Sequence, residues 1–350
     1  MSTTVAQRRE PPPARPDASS RRLTERVFRI RESGIIAVLI VFVAVTTAIQ
    51  PRFLDAQNIQ FVLINTTVFA LLALGETMVV VSRNVDLSVG SVLGLSAYLS
   101  ARLFSQVHGI PIPAVFAVGL AIGLVCGVMN GLMVSLGRVP SLVVTLATLY
   151  IIRGIDILIV GGNEVVAQSL PAGFANIPQD TVLGVPDLAI VVAVIVAAGA
   201  YYMRSFRSGR ELYAIGSNPD AARLAGIPVG KRIFTAFAVS GALAGLGGVL
   251  WAAQYQTVDS TAGTGYELLV IAAVVVGGVA IFGGSGTAIG AAIGALLLST
   301  IQSALNVLGI APFWDQAIAG LLLLVAITID RVISLRLAAA LRLRSSRRGI

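Results

Sequence analysis

The sequence predicts an all-α, polytopic integral membrane protein of about ten transmembrane helices, and three observations carry that prediction. Only 12% of the 350 residues are charged, and the mean hydropathy is +0.88; a soluble domain carries about 25% charged residues. Twenty of the 25 basic residues fall in three blocks, at 1–33, 204–232 and 331–350. Between the blocks lie apolar stretches of the length that crosses a hydrocarbon core, about 17 to 25 residues.

The spans follow in order at 34–50, 58–82, 88–106, 112–136, 139–160, 186–203, 232–253, 266–282, 287–308 and 313–331. Short loops rich in Arg and Lys remain cytoplasmic during insertion, so an even number of spans must separate successive basic blocks. Six spans lie between the first and second blocks and four between the second and third, which places both termini and the central loop in the cytoplasm. Arg83 and Arg138 agree with this sidedness, whereas Arg52, Arg102 and Arg153 fall near the outer side. The longest outer loop, 161–185, holds Glu164 and Asp180 and no basic residue. Residues 1–33 are rich in Arg, Pro and Ser and read as a disordered tail held at the anionic inner leaflet. The membrane-spanning domain is 34–331, and 332–350 is a second basic tail.

Several features exclude other classes. The net charge of +8 flanks apolar spans and forms no stripe on a soluble domain, so nucleic acid is not an expected partner. The single cysteine, Cys126, allows neither an intrachain disulfide nor a thiolate metal cluster, and no cofactor is expected. His108 sits at a span end beside Gly109 and Pro111 and reads as a solvated interfacial residue. Gly119, Gly123, Gly127 and Gly131 recur at four-residue intervals, a stripe that lets helix backbones approach closely. The segments Val68 to Pro113 and Leu268 to Pro312 share an order of apolar helix, inner Gly/Ser turn, small-residue helix and outer Gly-Ile turn. This fits a weak parallel repeat, with chance similarity of Gly-rich helices as the competing reading.

The central basic loop contains the best-specified local structure. Asn218 can cap a helix whose first residue is Pro219, Asp220 places negative charge at its positive end, and Gly226 with Pro228 stops it. A helix of two turns is marginal in water, so one specified this firmly packs against something: either a partner or the protein's own membrane domain.

This loop, with the core Ala221-Ala222-Arg223-Leu224-Ala225-Gly226, resembles the coupling segment of ABC importer permeases, in which a short helix docks into a groove of the ATPase subunit. The stretch Arg83-Asn84-Val85-Asp86-Leu87-Ser88-Val89-Gly90-Ser91 resembles the G-G-I-D-L-S-V-G-S signature of the branched-chain amino-acid and monosaccharide permease superfamily, on its sugar side. Thr145 to Leu149 with Arg153-Gly154-Ile155, Gly263 to Glu267, and Gly277-Gly278 through Gly286 agree with it. The resemblance covers roughly residues 35–330. Arg83-Asn84 in place of Gly-Gly is closer to autoinducer-2 and rhamnose importers than to ribose permeases.

The resemblance implies a bacterial inner-membrane subunit that works with two ATP-binding subunits, an extracytoplasmic sugar-binding protein and a second permease copy or homologous permease. It implies ATPase contacts at Arg210, Glu211, Asn218, Pro219, Asp220, Ala221, Ala222, Arg223 and Gly226, although a solvated charged face is an alternative for the charged ones. No G-x-x-x-x-G-K-[ST] sequence occurs, since the one lysine, Lys231, lacks the earlier glycine at Ala225. Energy would therefore arrive from a partner. Asp86 opens a turn and reads as structural, bonding its own backbone two residues on. Glu76 departs from the family pattern. It reads as a snorkelling or neutral side chain, a partner for a buried polar group, or a coupling site. Arg153 and Asp156 share a helix face and read as an ion pair. Asn65, Thr66, Thr67, Asn130, Thr145, Thr148, Arg153 and Gln254 are candidates for the translocation path, each equally able to bond a neighbouring helix. The polar segment Gln254 to Glu267 is either a binding-protein contact or an ordinary loop. An ion-coupled secondary transporter using Glu76, Asp86 and Asp156 is the rival reading.

Overall fold

The computed structural model describes residues 18–107, 109–311, 314 and 316–328, with side chains from residue 33 onward. His108 and the tail 332–350 lie outside the described residues. Its helices are α1 Ala18–Ile49, α2 Ala56–Val81, α3 Val89–Gln106, α4 Ile112–Ser135, α5 Ser141–Val160, α6 Ala172–Ala175, α7 Asp187–Ser205, α8 Arg207–Ser217, α9 Pro219–Leu224, α10 Val229–Tyr255, α11 Tyr266–Val276, α12 Ala288–Val307 and α13 Gln316–Thr328. A two-stranded hairpin, Thr181–Val182 with Val185–Pro186, lies in the long loop between α6 and α7.

Among the described residues, six helices are long and apolar enough to cross a membrane: α2, α4, α5, α7, α10 and α12. The count of ten is not reached on that criterion. The clearest departure is the span expected at 266–282, because α11 has 11 residues and ends at Val276. At 1.5 Å per residue it reaches about 16 Å, half of the roughly 30 Å core. Backbone geometry explains the break. Gly263, Gly265, Gly278, Gly283, Gly284 and Gly286 all adopt positive φ, which ends a right-handed helix on either side of α11. The non-helical stretches are covered by protein: Val258, Ala262, Val279 and Ala280 are buried, as irregular backbone at membrane depth requires. The first helix also departs from expectation, since it begins at Ala18 inside the segment read as disordered. Extending an existing helix adds a hydrogen bond per residue without a new nucleation cost, and no Pro or Gly interrupts 18–33.

The core is organised around α10, which packs on α4, α3 and α2. Gly119, Gly123 and Gly127 on α4 face Gly241 and Gly245 on α10: a Cβ at Gly123 would lie 2.0 Å from the Gly241 carbonyl oxygen, and one at Gly245 would lie 2.1 Å from that of Gly119. The α4 stripe therefore has a matching stripe on α10, and backbone meets backbone. The turns after α2 and α11 lie side by side, with the Gly284 amide donating to the Val81 carbonyl at 2.9 Å. The helices before them differ, at 26 and 11 residues, whereas the helices after them, α3 and α12, are alike at 18 and 20 residues.

Candidate functional site

Two groups of residues named from the sequence are assembled by this fold: the signature turn 82–88 inside the bundle, and the α8–α9 platform at the end that carries the basic loop.

The turn folds back along α2. The Asn84 amide donates to the Val79 carbonyl at 3.2 Å and the Asp86 amide to Glu76 Oε1 at 3.1 Å. Asp86 Oδ1 accepts from the Ser88 amide at 3.0 Å and from Ser88 Oγ at 2.6 Å, the self-bonded turn expected of Asp-Leu-Ser. Asn130 Nδ2 on α4 donates to Ser88 Oγ at 2.8 Å, and Thr145 on α5 donates to the Val85 carbonyl at 3.2 Å. Leu87 is half-buried, whereas Gly90 is buried at the start of α3 against Gly263, where a Cβ would stand 2.6 Å from the Gly263 carbonyl oxygen. Glu76 is fully buried, and its bond to the Asp86 amide matches the second of the three readings above, a partner for a buried polar group. Ser88→Ala removes one partner from both Asp86 and Asn130. Leaving buried polar groups unpaired costs about 1–3 kcal/mol, so a lowered thermal midpoint of the purified protein is expected.

At the basic end, α7 breaks at Phe206, whose backbone is extended, and α8 follows as an 11-residue helix within the expected loop 204–232. Asn218 then caps α9: its Oδ1 accepts from the Asp220 and Ala221 amides at 3.1 and 3.0 Å. Gly226, with φ +76°, ends the turn, and the Ile227 amide closes on the Ala222 carbonyl at 3.0 Å. The faces of this platform divide the coupling residues. Ala222 is buried against Ile215 and Val229. Glu211 is buried too, accepting from Arg207 at 2.8 Å and from Arg232 of α10 at 2.5 Å, so it fastens α8 to α10 and is not a free contact. Arg210, Asp220 and Arg223 face outward, the last two paired at 2.9 Å. Leu224, absent from the sequence-based set, is 91% exposed at the end of α9. An apolar residue ending a capped helix was the available signal.

Gly216 connects the platform to the interior. A Cβ there would lie 1.9 Å from the Val81 carbonyl oxygen and 2.5 Å from the Gly284 amide nitrogen, so the end of α8 rests directly on the turns after α2 and α11.

The ion cluster at Glu211 has a pH signature. The hydrogen bond from Arg232 and then that from Arg207 hold the Glu211 carboxyl below its ordinary value of 4.5. A depressed folded-state value stabilises docking above the ordinary value and is lost as pH falls through the folded-state value. The protection factors of amides across 207–217, with exchange corrected for its intrinsic pH dependence, should therefore be constant from neutral pH down to the ordinary value of 4.5 and fall only below it, while Glu211→Gln should lower them at neutral pH.

The path candidates are not brought to one place. Asn65 Oδ1 accepts from Gln254 Nε2 and from the Tyr255 hydroxyl, joining α2 to α10. Thr66 and Thr67 donate to the Val62 and Ile64 carbonyls of their own helix, and Thr148 donates to that of Thr145. Arg153 lies 3.8 Å from Asp156 and donates to the Ala262 carbonyl at 2.6 Å, pinning the segment between α10 and α11. Asn65, Gln254 and Arg153 thus hold helices and loops together, whereas Thr66, Thr67 and Thr148 bond within their own helices.

A signature turn in the bundle, a glycine-broken α11 and a capped helix mounted on both turns form one ordered arrangement along the chain. A family profile described as the permease component of branched-chain amino acid transport systems matches residues 58–327, more than three quarters of the chain. The chain belongs to this permease family. Among its curated relatives, the autoinducer 2 import system permease protein LsrC of Enterobacter sp. strain 638 is 37% identical over 298 residues, covering 85% of each chain. The ribose import permease protein RbsC of Escherichia coli K12 is 34% identical over 318 residues, covering 89% of this permease and 97% of the relative. Its Haemophilus influenzae counterpart is 36% identical over 305 residues, covering 87% and 94%. No solved structure matches the permease. The matched region contains the signature turn and the whole α8–α9 platform, so the resemblance read from those motifs is borne out.

Proposed function

We propose that this permease is the membrane subunit of a bacterial ATP-driven importer that carries a small, hydroxyl-rich ligand of the monosaccharide class inward across the cytoplasmic membrane. The observation that carries the reading is mechanical: α9 presents Asp220, Arg223 and Leu224 outward, and Gly216 seats the preceding helix on the two turns at Val81 and Gly284. ATP-driven closure of a partner bound to α9 would press on both turns and favour one of two arrangements of α3 and α12, which is how a partner without contact to the ligand shifts a conformational equilibrium. The relatives support the ligand class, since their names assign them autoinducer 2 and ribose. Identities of 37% and 34–36% do not separate these two ligands. In this reading the basic loop and both termini are cytoplasmic, two ATPase subunits and a second permease complete the complex, and an extracytoplasmic binding protein delivers the ligand to the face near Gln254 to Glu267.

The test is purification from the native membrane in mild detergent with mass spectrometry of what accompanies the permease. A co-purifying subunit bearing a G-x-x-x-x-G-K-[ST] motif is expected. A preparation without one, repeated after cross-linking, would overturn the reading.

A further inference from the structure

At the basic end, a cavity of about 500 Å³ opens between α7, α8 and the start of α12. Arg204 and Arg210 stand on its wall, and among the described residues that line it none is acidic. Both arginines are exposed. Tyr213 closes the inner side by donating its hydroxyl to the Gly286 carbonyl at 3.1 Å, which joins α8 to the turn before α12. The floor is apolar, formed by Ala200, Met203 and Ile289.

Ile289 also lines a second cavity, of about 360 Å³, that α7 and α12 form with α2 behind them. Small side chains open this groove: Ala193 and Ala197 on α7 and Ala292 on α12. From Arg204 to Ala189 the two cavities follow α7 for about 22 Å at 1.5 Å per residue, more than the roughly 15 Å depth of one leaflet. The depth of the basic end is marked independently. Tyr201 and Phe206, three residues before and two after Arg204, are 65% and 53% exposed and pack edge to face at 6.1 Å. Exposed aromatic rings beside an apolar helix end are the signature of headgroup level.

We infer that this seam is a binding site for one anionic phospholipid of the inner leaflet, with its phosphate between Arg204 and Arg210 and an acyl chain in the groove between α7 and α12. Arginine at the bilayer surface attracts anionic headgroups, and pockets of this kind between transmembrane helices hold them. A free phosphate would use the arginines but gain nothing from a continuous apolar groove, and that continuity decides between the two sources. The assignment moves Arg210 from the ATPase-facing set to a lipid-facing one. A lipid seated there would brace α7 against α8 and α12, beside the turn on which the platform rests.

The test uses the full-length permease purified in mild detergent and titrated with phosphatidylglycerol, phosphatidylcholine or inorganic phosphate, with bound lipid counted by native mass spectrometry. Retention of phosphatidylglycerol over phosphatidylcholine is expected. Arg204→Gln/Arg210→Gln should weaken it about tenfold or more. Ala193→Phe, which fills the groove and leaves the arginines intact, should weaken it as well, and excess inorganic phosphate should not displace it. Undiminished retention by the double arginine variant would overturn the assignment. Displacement by inorganic phosphate together with no effect of Ala193→Phe would overturn it in favour of a soluble anion. An arginine variant that keeps its lipid and loses its ATPase would overturn it in favour of a protein contact.

Discussion

Leu224→Glu is expected to weaken association with the ATPase subunit by about 30-fold or more while leaving the permease folded. Leu224 is 91% exposed, so the substitution removes no internal contact. In the complex the same position would be covered, and a carboxylate buried in an interface without a partner costs several kcal/mol, more than the ~2 kcal/mol that corresponds to a 30-fold loss. Binding of the purified ATPase to immobilised permease, with a thermal melt of each variant, reads both quantities. Ala222→Glu is the informative contrast. Ala222 is buried beside Ile215 and Val229, so that change should also lower the melting temperature by lifting α9 from its seat. Affinity within twofold of wild type for Leu224→Glu would mean that α9 is not where the ATPase docks.

Gly123→Val should damage the bundle severely. Its Cβ would fall 2.0 Å from the Gly241 carbonyl oxygen and 2.7 Å from the Gly245 Cα, both backbone atoms on α10. A crowded side chain can turn aside, but here the two helices must separate along a seam that also holds Gly119 and Gly127. Overpacking a core typically costs 1–3 kcal/mol, and an obstacle made of backbone belongs at or above the top of that range, about 3 kcal/mol. Loss of monodisperse protein on size exclusion, or a melting temperature several degrees lower, is expected. Gly154→Ala is the matched control, since nothing lies within 4 Å of the added carbon. Equal melting temperatures for the Gly123 variant and wild type would contradict the seam.

The class of the fold was legible because membrane insertion writes itself into charge and hydropathy: the basic blocks and apolar stretches locate α2, α4, α5, α7, α10 and α12 to within a few residues. The break at α11 was not, although its glycines were in view. Leu268 to Gly278 is apolar throughout, and only the positive φ of Gly265 and Gly278 says where the helix must stop. The cap of α9 could be read in detail, because Asn218, Pro219, Asp220 and Gly226 act locally. Which residues of the platform face a partner could not. Glu211 resembles a surface charge in the sequence and is claimed by Arg232, 21 residues away and on another helix. The same limit applies to the path candidates. Asn65 and Gln254 look like free polar groups, and a hydrogen bond across 189 residues joins them. Local chemistry shows in the sequence, whereas the partner of a buried polar side chain is fixed by packing.

The most direct test of the central claim, that ATP hydrolysis by a partner drives transport through α9, is uptake of labelled ribose or autoinducer 2 by cells that express the complete system. Uptake is followed with an uncoupler present while cellular ATP is kept high. Uptake that continues under the uncoupler and falls to background in Leu224→Glu is the expected result. Uptake that collapses with the ion gradient while ATP stays high, and is unaffected by Leu224→Glu, would contradict it and favour an ion-coupled transporter.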